Sequence, residues 1–125
     1  PADRMASVVK LQADGQWVDM PQMPTGRSCA GAAVLGSDIY VIGGSPGMLG
    51  VDYDVPSSAV EKFDAMRNEW QAMPAMQFER TAPAAAVIDD SIYVATRSRA
   101  QSATTTARGR SFRTCPPAAR VPRLQ

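Results

Sequence analysis

Short apolar runs separated by turn-forming residues fill the first three quarters of the chain. Residues 39–43 and 92–94 are rich in β-branched and aromatic side chains, and each run follows a cluster of glycine, serine or aspartate. Such runs are typical of β-strands bounded by turns. The alanine-rich run at 30–35 ends at one of these turns and is too short for a stable helix, so the pattern predicts a strand there as well.

A second alanine-rich run, over residues 82–88, leaves a helix as the competing prediction. Pro83 lies inside this run, and a turn with two aspartates follows it directly. Both features favour a strand over a helix. The pattern therefore predicts an all-β chain.

The chain repeats itself with a period of 53 residues, and an internal repeat decides the architecture of a protein. Without a gap, eleven of the twenty-five residues from 17 to 41 are identical to the residues 53 positions later. They include both tryptophans of the chain, Trp17 and Trp70, and the arginines Arg27 and Arg80. Chance does not place so many residues in one frame, so the repeat is genuine.

The repeat extends to the amino-terminal side of each tryptophan. Residues 7–12 precede Trp17 as residues 59–64 precede Trp70, with one residue fewer in between, a difference that a turn absorbs. Each unit then holds four short strands in roughly 50 residues, which is typical of one blade of a β-propeller.

The repeated residues resemble the kelch repeat. They form the pattern Met-Pro, Arg, Ala-Ala-Val, Ile-Tyr-Val-Ile-Gly-Gly, Val-Glu-x-Phe-Asp and Trp. The matching positions are Met23, Pro24, Arg27, residues 32–34, residues 39–44, Val60, Glu61, Phe63, Asp64 and Trp70. The resemblance covers about residues 7–94 and implies a propeller of four-stranded antiparallel blades around a central channel. It places the strands of one blade at residues 30–35, 39–43, 59–64 and 69–72.

The resemblance implies one complete blade and two partial blades. We predict that residues 1–95 form the kelch region, with a partial blade at 6–19, the full blade at 29–72 and a second partial blade at 82–95. A closed propeller needs about four to eight blades, so strand edges would remain open. We therefore expect the isolated chain to be marginally stable, partly unfolded or self-associated through these edges.

The kelch pattern stops abruptly after Val94. Where the family has Ile-Gly-Gly, this chain has Ala95-Thr96-Arg97, and we attribute the break to a reading-frame error, an alternative exon or an artificial terminus near residue 95. Residues 1–96 carry a net charge of −6, whereas residues 97–125 carry +7 and few large apolar side chains. We predict a disordered Arg-rich tail over residues 96–125. This tail lacks interleaved aromatic residues and a folded nucleic-acid-binding element, so we do not expect specific nucleic-acid binding despite its charge.

The composition excludes several kinds of active site. The chain has no histidine, which removes the usual general base, the His-ligated zinc site and the Ser-His or Cys-His pair. We therefore predict that it is not an enzyme and uses no cofactor. Two cysteines are too few for a disulfide scaffold. The chain also shows no signal segment and no apolar run of the roughly 18–20 residues that a membrane span needs, so we expect a cytoplasmic protein.

Five residues are candidates for contacting a partner. Arg27 and Arg80 lie in the connections that lead into the inner strands, where they either bind a ligand or fix the loop through a repeated ion pair or carbonyl contact. Asp52, Tyr53 and Asp54 lie in the longest loop of the repeat. Two carboxylates around a tyrosine suit a cation or a basic partner. A metal needs more oxygen ligands than this pair supplies, so an exposed loop without a metal is the favoured interpretation.

A structural role is the favoured interpretation for a glycine pair and for the recurring aromatics. Gly43 and Gly44 are not part of a phosphate-binding loop, because its lysine and helix are missing; we expect them to admit neighbouring backbone at a strand end. The aromatics at repeat positions are Trp17, Trp70, Tyr40 and Tyr93. Their recurrence favours packing between blades, with local partners for the N–H and O–H groups, over stacking on a ligand.

The resemblance places function in the loops. In kelch proteins, the loops between second and third strands and those linking blades bind protein partners; here they are residues 45–58, 20–27 and 73–80. The expected function is a protein-interaction module from a larger adaptor or scaffold, a class that includes ubiquitin-ligase substrate adaptors with a BTB domain and actin-binding proteins. The alternatives are a piece of a propeller enzyme and a truncated product without a function of its own.

Overall fold

A computed structural model describes residues 5–46 and 55–96. They form eight strands: β1 (Val8–Leu11), β2 (Trp17–Met20), β3 (Gly31–Leu35), β4 (Asp38–Ile42), β5 (Val60–Asp64), β6 (Glu69–Met73), β7 (Ala84–Ile88) and β8 (Ser91–Ala95). The all-β prediction is confirmed, and β7 shows that the helix considered over residues 82–88 was wrong. None of the described residues forms a helix that is long and apolar enough to cross a membrane.

The strands form three antiparallel sheets. β1 pairs with β2 in a first half-blade, β3 to β6 follow one another in a four-stranded central blade, and β7 pairs with β8 in a second half-blade. Within the central blade, β4 and β5 place Val41 opposite Glu61 and Ile39 opposite Phe63. This is the predicted arrangement of one complete blade flanked by two partial ones.

The repeat extends to the backbone conformation. Residues with positive φ recur 53 positions apart: Gly15 (85°) and Asn68 (58°), Cys29 (52°) and Ala82 (51°), Gly36 (63°) and Asp89 (51°). Residues other than glycine rarely adopt this conformation. Its recurrence at the same repeat positions shows that the copies share their turns as well as their strands.

Few apolar side chains are buried in the described part of the chain. They are Ala6, Ile42, Phe63 and Pro83. β3 packs against β7 and β8 across the gap between the central blade and the second half-blade. The exposed apolar side chains of the half-blades are Val9, Leu11, Trp17, Val87, Ile88 and Tyr93. The half-blades therefore keep apolar surface open where a complete propeller would continue.

Trp70 joins the central blade to the first half-blade. Its indole Nε1–H donates a hydrogen bond to the Pro21 carbonyl at 2.8 Å. Its ring packs on Phe63, with centroids 5.3 Å apart and planes tilted by 50°. Trp17, the equivalent residue of the first half-blade, is 64% exposed. The predicted packing between blades is thus observed for Trp70, whereas no earlier blade within the described residues covers Trp17.

A Trp70→Phe substitution should separate this hydrogen bond from the aromatic packing. The phenyl ring keeps the apolar contact but leaves the Pro21 carbonyl without its donor, so we expect the free energy of unfolding to fall by about 1 kcal/mol. Urea denaturation followed by circular dichroism measures the change. Trp17→Phe is the matched control and should change stability by less than about 0.5 kcal/mol. Equal losses in both variants would contradict a specific role for the Trp70 hydrogen bond.

Candidate functional site

The long connections of the central blade meet at one end of its sheet. The strand registers align Gly31, Ile42, Val60 and Met73 across the four strands at that end. At this end of the sheet, which we call the loop end, the chain enters β3, passes from β4 to β5 and leaves β6. Short turns close the opposite end of the sheet. All three connections named as binding loops from the sequence thus reach the same end of the blade.

Backbone hydrogen bonds tie these connections to one another. Ser28 and Ser45 exchange two N–H···O bonds of 2.9 and 2.8 Å. The Gly44 amide donates to the Arg80 carbonyl at 2.9 Å, and the Arg80 amide donates to the Ser57 carbonyl at 3.0 Å. Because these bonds tie the connection before β3 and the connection after β6 to the same β4–β5 connection, the base of the loop end is one continuous network.

Arg27 lies inside this network, and its side chain makes its polar contacts within the network. Its guanidinium is 1% exposed, and Nη2 lies 2.8 Å from Oε2 of Glu61, whose side chain is 6% exposed. The two atoms form a close charge pair, although the N–H directions do not meet hydrogen-bond geometry. Nη1 donates to the Gly43 and Ala59 carbonyls at 3.0 and 3.1 Å. Of the two roles left open for Arg27, this geometry supports fixation of the loop.

Arg80 has the same place in the repeat but different surroundings. Its amide hydrogen bond to the Ser57 carbonyl (3.0 Å) corresponds to that of Arg27 to the Met5 carbonyl (3.1 Å). No ion pair or hydrogen bond, however, joins its half-buried guanidinium to any residue in the ranges 5–46 and 55–96. It lines an open pocket together with Met76, Gln77, Phe78, Ile92 and Val94. The two repeated arginines therefore differ, and Arg80 is the one open to a ligand.

The acidic candidates Asp52, Tyr53 and Asp54 lie outside the described residues. The described flanks of their loop, Pro46 and Val55, are both exposed. Within the described ranges, no group of three or more histidine, cysteine or acidic side chains is placed to hold a metal ion.

The glycine pair after β4 admits neighbouring backbone, as predicted. A Cβ on Gly43 (φ +64°) would lie 2.6 Å from the Arg80 carbonyl oxygen. A Cβ on Gly44 (φ +91°) would lie 2.5 Å from the Ser28 carbonyl oxygen. Only glycine fits these contacts, so the pair sets how closely the connections of the loop end approach one another.

Two residues of this region were missed from the sequence. Phe78 is 70% exposed in the connection after β6, and its counterpart 53 residues earlier is Thr25. The sequence signal that could have identified Phe78 is an aromatic side chain that occurs in only one copy of the repeat. Glu61 was recognised as part of the repeat but not as the partner of Arg27, because their pairing depends on the approach of β5 to the connection before β3.

Sequence comparisons connect this blade with known proteins. The Kelch motif model matches residues 26–77, the whole central blade with its flanking connections. The chain is 44% identical over 71 residues to an F-box/kelch-repeat protein of Arabidopsis thaliana, covering 57% of this chain and 24% of the relative. It is 30% identical over 95 residues to kelch repeat and BTB domain-containing protein 2 of cowpox virus, covering 65% and 17%. The chain thus spans less than a quarter of the length of these relatives.

A solved structure gives the same fold. The structure of YjhT superposes with a TM-score of 0.57 at 22% sequence identity, over 72% of this chain and 27% of that one. At this identity the likeness concerns the fold alone. Residues 26–77 are thus a kelch repeat, and the four-stranded central blade with its flanking half-blades has the fold of part of a β-propeller.

Proposed function

We propose that the chain is a protein-interaction module that binds its partner through the loop end of the central blade. The observation that carries this proposal is the convergence of the long connections at one end of the sheet, where backbone hydrogen bonds join them. Loops held on a rigid scaffold are common positions for binding residues.

The side chains of the loop end suit a protein partner. Phe78 is largely exposed, and an aromatic side chain is a frequent anchor of protein interfaces. Exposed Thr25 and Glu79 provide polar contacts beside it, and we assign Asp52 and Asp54 the same role. Arg27 contributes indirectly, since its buried contacts with Glu61 hold the loop base. The interface would then be an aromatic anchor within a polar, acidic rim.

The relatives support an adaptor role for the protein to which this blade belongs. The names of two of them combine kelch repeats with an F-box or a BTB domain. We propose that the blade recognises a protein in the same way, in a non-enzymatic and cytoplasmic adaptor, and that a second domain couples the bound protein to further partners.

Capture of interacting proteins with matched variants tests the loop end. A Phe78→Ala variant and an Asp52→Asn, Asp54→Asn double variant should lose a stoichiometric partner that the wild-type chain retains. We expect at least a tenfold loss of affinity for Phe78→Ala, because a buried aromatic anchor contributes about 2 kcal/mol or more. Quantitative mass spectrometry identifies the partner, and titration of the purified partner gives the affinity.

The control places similar changes at the other end of the second half-blade. Asp89 and Asp90 form the turn between β7 and β8, away from the loop end, so Asp89→Asn with Asp90→Asn should leave capture unchanged. Retention of the partner by the loop-end variants, or its equal loss in the control, would be evidence against binding at this end.

A further inference from the structure

We propose that the outer edge of β8 and the side chain of Arg80 form a strand-binding site. The site takes an extended Val-Glu-x-Phe-Asp segment of a partner as an added antiparallel strand. Within the described residues β8 pairs with β7 alone, and an open strand edge offers unpaired N–H and C=O groups to an incoming strand. The edge site adjoins the loop end, because Arg80 belongs to both and Phe78 lines the same pocket, but it does not depend on the partner proposed there.

The central blade shows the register that such a strand would take. Its β4 is the equivalent of β8 and pairs on its outer side with β5 (Val60–Asp64). There, Glu61 stands opposite Val41 and Phe63 opposite Ile39. The equivalents of Val41 and Ile39 in β8 lie 53 residues later. A strand added in this register therefore brings its glutamate opposite Val94 and its phenylalanine opposite Ile92.

The open pocket beside β8 is the space that these two side chains fill in the complete blade. Arg80, Ile92 and Val94 line the pocket. In the central blade, the matching side chains of the added strand, Glu61 and Phe63, are 5% and 6% exposed. The second half-blade thus keeps open a place for one carboxylate and one phenyl ring, at the spacing of alternate residues on a strand.

Charge determines which segment fits. In the central blade, Glu61 neutralises the guanidinium of Arg27; the guanidinium of Arg80 has no counter-charge within the described residues. A strand without an acid at this position would bury Arg80 unpaired, which is strongly unfavourable. This disfavours a second copy of the chain that supplies its β1 as the added strand. In the repeat, Val9 of β1 has the position that Glu61 has in β5.

A peptide with the sequence of residues 57–73 is a direct probe, since it carries β5 and β6 with their connecting turn. Labelled with a fluorophore and titrated with the full chain, it should show saturable binding by anisotropy. A Glu61→Gln peptide should bind at least about tenfold more weakly. A Glu69→Gln peptide makes the same change in net charge at a 54% exposed position and should bind within about twofold of the original.

Variants of the chain identify the edge that the peptide occupies. Arg80→Gln should reproduce the loss seen with the Glu61→Gln peptide, whereas Arg67→Gln, a 68% exposed control, should not. The edge site would be overturned if the peptide showed no saturable binding, or if the Glu61→Gln and Glu69→Gln peptides lost equal affinity. Unchanged peptide affinity in the Arg80→Gln chain would also overturn it, because the peptide would then be displacing β5 beside Arg27. Peptide affinity that falls as the chain concentration rises would assign the edge to a second copy and also overturn it. Should Arg80→Gln fail to fold, a photo-crosslinking residue in place of the peptide's phenylalanine decides the question on the wild-type chain: crosslinks at Ile92 would support the edge site, and crosslinks at Ile39, the residue opposite Phe63 in the central blade, would overturn it.

Discussion

Substitution of Glu61 by glutamine should lower the free energy of unfolding by about 3–5 kcal/mol, the usual cost of removing one partner of a buried ion pair. The change keeps the size of the side chain but leaves the guanidinium of Arg27, 1% exposed, without a counter-charge. Because whole domains are stable by only about 5–15 kcal/mol, this loss would remove a large share of the stability of the chain. Circular dichroism and urea denaturation measure the loss.

A half-buried ion pair of the same blade, more accessible to solvent than Arg27 and Glu61, provides the control. Lys62 and Asp38 lie 3.5 Å apart, with side chains 18% and 25% exposed. Solvent screens such a pair, so Asp38→Asn should lower stability by no more than about 1 kcal/mol. A loss at Glu61→Gln no larger than that at Asp38→Asn would show that the buried pair does not hold the blade together.

The second large effect is expected at Gly43. In Gly43→Ala the new Cβ would lie 2.6 Å from the Arg80 carbonyl oxygen, in a backbone with φ +64°. Left-handed backbone costs a residue other than glycine about 1–2 kcal/mol, and overpacking adds about 1–3 kcal/mol. We therefore expect a total loss of about 3 kcal/mol in urea denaturation, with the connection before β7 displaced from the central blade.

Gly36 separates the two contributions. It has nearly the same φ, +63°, but a Cβ added there would meet no atom within 4 Å beyond its chain neighbours. Gly36→Ala should therefore show the backbone cost alone, about 1 kcal/mol. Its equivalent in the second half-blade, Asp89, already carries a side chain at φ 51°. Equal losses of stability in Gly36→Ala and Gly43→Ala would mean that the close approach of the Arg80 carbonyl does not contribute to the destabilisation.

The sequence predicted the strands well because their signals are local. β-branched and aromatic runs between turn formers predicted the strands of the central blade to within one residue at each end, and the 53-residue repeat predicted how the strands group into blades. The packing role of the glycine pair was predicted from its missing Cβ atoms at a strand end. The predicted boundaries of the kelch region, the break near residue 95 and self-association remain predictions.

The site was harder to predict because it depends on which neighbouring blade is present. Trp17 and Trp70 are identical in the repeat, yet one is exposed and the other hydrogen-bonded across blades. Arg27 and Arg80 are likewise identical, yet of the two only Arg27 forms an ion pair with a glutamate among the described residues. A repeat reports what its copies share, so it could not distinguish the arginine that fixes a loop from the one that faces an open pocket.

The small buried core has a thermodynamic consequence. Ala6, Ile42, Phe63 and Pro83 are the buried apolar residues among those that the structure describes. The heat capacity change of unfolding follows the apolar surface that unfolding exposes, and reaches about 12–15 cal/mol/K per residue in typical globular domains. With so little apolar surface to expose, this chain should fall below that range. Its stability should therefore change less steeply with temperature than that of a typical domain of the same size.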